Sequence, residues 1–270
     1  MKTPPPLHLA GYQGGTSILT GALTHLARRL DDSSVGTPHL LTDVTAIGQS
    51  AASLFDSVAR GERQIGYMAS GYLSARVPEL AVLDLPFSVQ DRAAALAALD
   101  GHAGDLLRDA VARQSGFHVL AFWDNGFRHI SNAVRPLRSP ADCQGLVIRT
   151  LDSELYRQAL GALGFKAITT DVKELVRVVQ DGTVQAQENP LTNLLAFDLW
   201  KHHPHVSMSG HFFGVLLLVC PRTWHEQLST AQRAELQAAV DEATALQRKS
   251  AAAQDDSALQ RLRALGVQVL

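Results

Sequence analysis

Two arginines stand where a charged side chain is costly. Arg149 closes the apolar run Gly145-Leu146-Val147-Ile148, and Arg128 opens a second apolar run directly after Asn125-Gly126-Phe127. A guanidinium carries its donors in a planar fork and grips a carboxylate through two parallel hydrogen bonds. Parallel α/β sheets bind their ligands outside the carboxyl ends of the strands. Arg149, at the end of its strand, is placed to present that fork to a crevice. On residue type alone, a structural ion pair with Asp124 or Asp152 accounts for such an arginine equally well.

Other chemistries find less in the chain. The densest histidine cluster is His202-His203-Pro204-His205, followed by His211. Metal-binding pairs on a helix need spacings of three or four, and Pro204 prevents a continuous helix, so the cluster reads as a solvated loop. No HExxH, CxxC or DxDxDG pattern occurs, and no metal centre is expected. There is no GxSxG elbow. Cys143 beside Asp142, and Cys220 in an apolar strand, lack a basic neighbour and read as structural thiols. Gly11-x-x-Gly14-Gly15 is neither GxGxxG nor a P-loop, and no lysine follows it, although a helix N-terminus there could accept an anion. No catalytic residue and no cofactor emerge.

The elements that must position the arginines follow from composition and periodicity. The 270 residues are 46 % apolar and 19 % charged, which fits an ordered globular chain. A net charge of −2 supplies no basic field for nucleic acid, and two cysteines exclude a disulfide scaffold. The longest apolar stretch, Val215 to Cys220, is far short of the ~20 residues that span a bilayer. Met1-Lys2-Thr3-Pro4-Pro5-Pro6 lacks the apolar core of a signal peptide.

Strands and helices alternate. Leu7 to Tyr12 reads as a strand, followed by a helix capped by Thr16 or Ser17 and running to about Leu30. Strand-like His39 to Ile47 leads to a helix through Ala52, Phe55 and Val58, and Gln64 to Met68 forms a short buried strand. Asp91 to Gln114 is helical with a break near Gly101 and Gly104. Two strands, Phe117 to Trp123 and Phe127 to Val134, flank Asp124-Asn125-Gly126. Strand Leu146 to Thr150, helix Ser153 to Gly164, strand Phe165 to Thr169, helix Asp171 to Gln180 and strand Val184 to Gln187 repeat the theme. Such alternation argues for parallel sheets covered by helices. Trp224 to Leu265 contains no Gly or Pro, and Ser229 to Gln232 matches a capping box. One long helix is expected there, kinked around Ser250 to Gln254. A coiled coil is the alternative, less favoured because Leu236, Val240, Ala243 and Leu246 hold no strict heptad into Leu259 and Leu262.

In chain order, several segments resemble one family. They are Trp123-Asp124-Asn125-Gly126-Phe127-Arg128-His129-Ile130-Ser131-Asn132, Arg135-Pro136, Ser139-Pro140-Ala141-Asp142-Cys143-Gln144-Gly145-Leu146-Val147-Ile148-Arg149, Ala162-Leu163-Gly164, Gln180-Asp181-Gly182 and Gln187-Glu188-Asn189-Pro190. Upstream, Gly61 to Ser70 and Leu83-Asp84-Leu85-Pro86-Phe87 join them. Together they are similar to the DctP-type solute-binding proteins of tripartite ATP-independent periplasmic (TRAP) transporters.

The resemblance implies a two-lobed, periplasmic-binding-protein-like α/β fold, each lobe a mostly parallel sheet flanked by helices, with a long helix spanning the lobes. Lobe I would take residues 7–125 and about 213–245, and lobe II residues 126–212 and about 246–270, with the ligand cleft between them. It implies a non-enzymatic receptor that captures a small organic acid and hands it to membrane subunits, a small DctQ-type and a large DctM-type. The protein would be periplasmic and monomeric. Arg149 matches the family arginine that pairs with the ligand carboxylate, Arg128 a second arginine nearby, and Asn189 the asparagine that hydrogen-bonds the ligand. Trp123 and Asp124 fall where family members vary their contacts, and Phe212 and Phe213 align with the pocket lining. Gln185-Ala186 replaces the Asp-Gly that commonly precedes the last segment. The family usually carries a leader and continues some tens of residues past Val267-Gln268-Val269. The competing reading is an enzyme on a similar two-lobed scaffold acting on an organic acid. The few lysines (Lys166, Lys173, Lys201 and Lys249) sit at strand starts or on helix faces, which argues against Schiff-base chemistry.

Overall fold

The computed structural model describes residues 5–270; Met1–Pro4, part of the opening in which no leader core is read, lie outside the described residues. In order, the elements are β1 (Pro6–Ala10), α1 (Ile18–Leu30), β2 (Thr37–Leu41), α2 (Ala51–Ala59), β3 (Ile65–Ala69), α3 (Arg92–Asp100), α4 (His102–Ser115) and β4 (Phe117–Asn132). There follow α5 (Pro140–Cys143), β5 (Val147–Thr150), α6 (Glu154–Ala162), β6 (Lys166–Thr169), α7 (Val172–Gln180), β7 (Ala186–Pro190), α8 (Leu191–Ala196), β8 (His205–Pro221), α9 (Arg222–Gln227), α10 (Thr230–Ala264) and β9 (Gln268–Val269). The chain forms two compact units, each assembled from three segments. Among the described residues, unit 1 takes 5–69, 93–124 and 215–251; unit 2 takes 70–92, 125–214 and 252–270. Residues 70–92, which the sequence assigns to the first lobe, group with unit 2.

In unit 1, β1 pairs in parallel with β2 and β3, and β3 pairs antiparallel with the second half of β8. Leu19, Leu23, Leu26 and Leu30 bury one face of α1, and the Ser17 hydroxyl caps it by accepting the Leu19 N–H at 3.1 Å. The strand expected over His39–Ile47 stops at Leu41. Asp43 Oδ1 accepts the Thr45 N–H at 2.9 Å and starts a 3-10 turn over Val44–Ile47.

Asp124-Asn125-Gly126 does not separate two strands; β4 runs straight through it. The reason lies 123 residues away in sequence. The Gln247 side chain of α10 accepts the Asp124 N–H at 2.9 Å and donates to the Asp124 carbonyl at 2.6 Å, so both peptide groups are met without a turn. α10 is a single 35-residue helix, unbroken through Ser250–Gln254. Its start is the expected capping box: Ser229 Oγ accepts the Gln232 N–H, and Gln232 Oε1 accepts the Ser229 N–H. Its residues up to Ala251 belong to unit 1 and the rest to unit 2. Among the described residues no helix is long and apolar enough to cross a membrane.

In unit 2, β5 pairs in parallel with β6 and β7, while β4 joins β7 antiparallel. The sheets are therefore mixed: parallel where strand–helix–strand crossovers operate, antiparallel where the long strands β4 and β8 enter.

Candidate functional site

Strand register decides which side chains meet. Arg149 is the register partner of Gln187; Ser131 and His129 oppose Gln187 and Asn189. Because side chains alternate along a strand, Arg149, Gln187, Asn189, Ser131 and His129 leave one face of the unit 2 sheet. Arg128, Glu188, Ile130, Ile148 and Ala186 leave the other. The first face is sealed by Val147 packing with Leu175, Val178 and Val179 of α7. The second is sealed by Ile130, Ile148 and Ala186 packing with Leu160 of α6. The two arginines thus depart from opposite faces, yet both act electrostatically on the Tyr72 phenol.

Arg149 is 2 % exposed. Its Nε donates to Thr170 Oγ1 at 3.1 Å and its Nη2 to the Thr170 carbonyl. No carboxylate of unit 2, Asp152 included, lies in ion-pair range of it among the described residues. Burial lowers its pKa, with Tyr72 and Glu188 pulling in the opposite direction, but a guanidinium stays protonated. Thr170 occupies the Nε–Nη2 edge, so the edge formed by Nη1 and the second Nη2 hydrogen, with the Tyr72 phenol as a further neutral partner of the guanidinium, is the fork this arginine offers. A buried cation held only by neutral oxygens is a costly arrangement that an anion relieves.

Arg128 is built differently. It is 3 % exposed, and its Nε and Nη2 grip the fully buried Glu188 carboxylate, Nη2 also donating to the Glu188 carbonyl at 2.9 Å and Asn189 Oδ1 at 3.3 Å. Thr150 Oγ1 donates to Glu188 Oε1 at 2.7 Å, and His211 Nε2 stands 3.7 Å from Oε2. Burial alone would raise the Glu188 pKa; the Arg128 charge and hydrogen bonds, with His211 beside them, outweigh it and hold the carboxyl at about 2. This is the structural ion pair that residue type left open, with Glu188 as the partner.

Around the pair lies an aromatic shelf. The Arg128 guanidinium carbon sits 5.7 Å from the centre of the Tyr156 ring, and Phe212 packs on Tyr156 with centroids 4.0 Å apart. Tyr156 Oη and Ser70 Oγ donate to Asp84 Oδ1 at 3.0 and 2.9 Å. Burial pushes the Asp84 carboxyl up to about 6, against the pull of those two hydrogen bonds. The folded state therefore binds a proton more readily than the unfolded chain, and this contribution is complete below about pH 4 and lost as pH rises through 6. Asp84→Asn is expected to remove roughly 2–3 kcal/mol of the stability difference between pH 4 and pH 8. Urea unfolding of both proteins at the two pH values checks it; parallel profiles would rule it out.

The structure gathers Arg149, Arg128, Asn189 and Phe212 in unit 2 and leaves Trp123 and Asp124 in unit 1. Trp123 is fully buried, its Nε1 donating to Thr244 Oγ1 at 3.0 Å and its ring 5.6 Å from that of Tyr67. The solvated histidine loop is a correction: His203 is 0 % exposed and its Nδ1 lies 3.0 Å from Ser131 Oγ, because the segment feeds directly into the unit 2 core before β8. Sequence reasoning missed Glu188, Thr170, Tyr72, Asp84 and Tyr156. Only Glu188 left a signal, since it sits between two residues of the opposite face.

A family model described as "Bacterial extracellular solute-binding protein, family 7", DctP, matches residues 10–270. A solute-binding protein of Verminephrobacter eiseniae is 30 % identical over 83 % of this chain and 67 % of its own length. The 2,3-diketo-L-gulonate-binding periplasmic protein YiaO of Escherichia coli is 29 % identical over 82 % of this chain and 67 % of its own. Among solved structures, the sugar acid binding protein DctPAm of Advenella mimigardefordensis, in complex with galactonate, superposes with a TM-score of 0.93 at 25 % identity, covering 100 % of this chain and 86 % of that one. A TRAP periplasmic solute-binding protein of Polaromonas bound to D-erythronate gives 0.92 at 25 % identity, over 98 % and 88 %. Two α/β units, a long helix shared by both, and a match over nearly the whole chain converge: the protein belongs to the DctP family of bacterial extracellular solute-binding proteins.

Proposed function

We propose that the chain captures a small organic acid through its carboxylate, using the Nη edge of Arg149, with Asn189 donating a further hydrogen bond and Phe212 backing the pocket through Tyr156. The observation that carries this is the buried Arg149 guanidinium, which meets neutral oxygens of Thr170 and the Tyr72 phenol, whereas the buried Arg128 of the same unit meets the Glu188 carboxylate. Arg128 is assigned to holding Glu188 and orienting Asn189. The two relatives crystallised with galactonate and D-erythronate support sugar acids as the first class to try. The protein acts in the periplasm, delivers its ligand to DctQ- and DctM-type membrane subunits as a monomer, and performs no catalysis.

Thermal unfolding against a panel of acids (galactonate, D-erythronate, succinate and glucuronate), with and without chelator, tests the reading. An acid at a hundred times its Kd adds about 2.7 kcal/mol, and the melting temperature should rise by roughly 5–10 °C with the acid recovered unchanged. A melting curve that no acid moves, or metal-dependent consumption of an acid, would overturn it.

A further inference from the structure

A buried chain of side-chain hydrogen bonds links Arg128 to His203, and chemistry at the Arg128 end fixes its direction. A guanidinium only donates. Arg128 Nη2 donates to Asn189 Oδ1 at 3.3 Å, and Asn193 Nδ2 donates to the same oxygen at 3.0 Å. Both lone pairs of that oxygen are thereby used. Asn189 Nδ2 then donates to Gln187 Oε1 at 2.6 Å, which turns Gln187 so that its Nε2 donates to Ser131 Oγ. Rotating the Asn189 amide by half a turn would set its NH2 against two donors and its oxygen against Gln187 Oε1.

The last link has two forms. If Ser131 donates to His203 Nδ1, the imidazole carries its proton on Nε2, and one buried donor goes unmet. If Nδ1–H donates to Ser131, the hydroxyl hydrogen and the Nε2 lone pair both go unmet. The first leaves fewer orphans. His203 Nε2 has no partner, and burial, with His202 nearby, pushes the imidazole pKa down to about 4, so the ring is neutral.

Of the two hydrogens on Asn189 Nδ2, one is spent on Gln187. We infer that Asn193, Gln187, Ser131 and His203 are positioning residues that make Asn189 a donor only, so that the ligand group it meets must be an acceptor oxygen and never an ammonium. The inference rests on the reading of Asn189 as a ligand contact; the direction of the chain does not.

The test is ligand-free. In the uniformly 15N-labelled full chain, ring nitrogen shifts and their couplings to the ring protons report the His203 tautomer, expected as Nε2–H. Asn189→Asp replaces the amide donor with an acceptor. Gln187 must then turn, Ser131 must donate to Gln187, and His203 must donate from Nδ1, so the tautomer switches four side chains away from Arg128. Gln187→Glu accepts from Asn189 and Ser131 together, switches His203 in the same way, and leaves Asn189 oriented as before. That variant supplies the readout even where Asn189→Asp gives no dispersed amide spectrum. With the panel acid that most raises the melting temperature as probe, Asn189→Asp should lose about a hundredfold in affinity, and Gln187→Glu should stay within about tenfold. An Nδ1–H wild type, or a folded Gln187→Glu with the wild-type tautomer, overturns the inference. A wild type that binds no panel acid sinks the proposed function instead, and the tautomer still judges the chain on its own.

Discussion

Arg149→Met is expected to cost two to four decades of affinity for any carboxylate ligand while leaving the unliganded protein as stable as the wild type, or more so. The two effects have one cause. The buried guanidinium is met by the Thr170 carbonyl and hydroxyl and by no carboxylate of its own unit. Removing one partner of a buried charge pair costs about 3–5 kcal/mol, which sets the loss in the liganded state and converts to that range of affinity. In the unliganded state the same substitution removes a buried charge with no carboxylate in ion-pair range and replaces it with a side chain of similar reach, so stability is expected to hold. Arg149→Lys should bind poorly as well, because an ammonium cannot make the two-pronged contact. Calorimetry with the best panel acid, paired with melting of the unliganded variants, measures both halves. Near-wild-type affinity in Arg149→Met would remove the carboxylate clamp from the mechanism.

The opposite outcome is expected at Glu188. Glu188→Gln leaves Arg128 buried against a neutral amide whose NH2 faces one of its donors. The expected loss is about 3–5 kcal/mol, or roughly 10 °C in melting temperature. The double variant Arg128→Met/Glu188→Leu, which removes both charges, should recover much of that loss. The pH dependence follows from the depressed carboxyl: Glu188, held at about 2, contributes stability above about pH 4.5 that disappears as pH falls toward 2. Glu188→Gln should therefore flatten the acid limb of the stability profile, whereas Asp84→Asn flattens the limb on the alkaline side of pH 4. Urea unfolding at pH 3 and pH 7 distinguishes them. A single Glu188→Gln variant that melts within a degree of wild type would refute the assignment. On the proposed function, one arginine is kept for the ligand and the other for the fold.

That division was not legible in the sequence, although both arginines were. Arg149 stands out in the sequence because strand ends in α/β sheets have a known chemistry and its apolar run is local. The caps at Ser17 and at Ser229–Gln232 were local too, and they appear as read. The Glu188 partner of Arg128 was hidden because it is 60 residues away and becomes a neighbour only through β4–β7 register. The continuous path of β4 through Asp124-Asn125-Gly126 was hidden for the same reason: those residue types favour a turn, and only the Gln247 side chain from α10 makes an extended route cheaper. Tyr156 and Tyr72 carry no local pattern, and Asp84 sits in a family-like segment that says nothing of its burial. Their roles come from desolvation and from neighbours brought in by the fold.

The interleaving of the two units has a consequence for how such receptors change over generations. The chain passes between units at 69/70, 92/93, 124/125, 214/215 and 251/252. Exchanging one unit with a relative by recombination would need five simultaneous junctions, four of them inside α3, β4, β8 and α10. A single genetic crossover would instead join mismatched halves of a strand or helix. Selectivity in this lineage is therefore open to point substitution and nearly closed to shuffling, so the parentage of one unit should always be the parentage of the other.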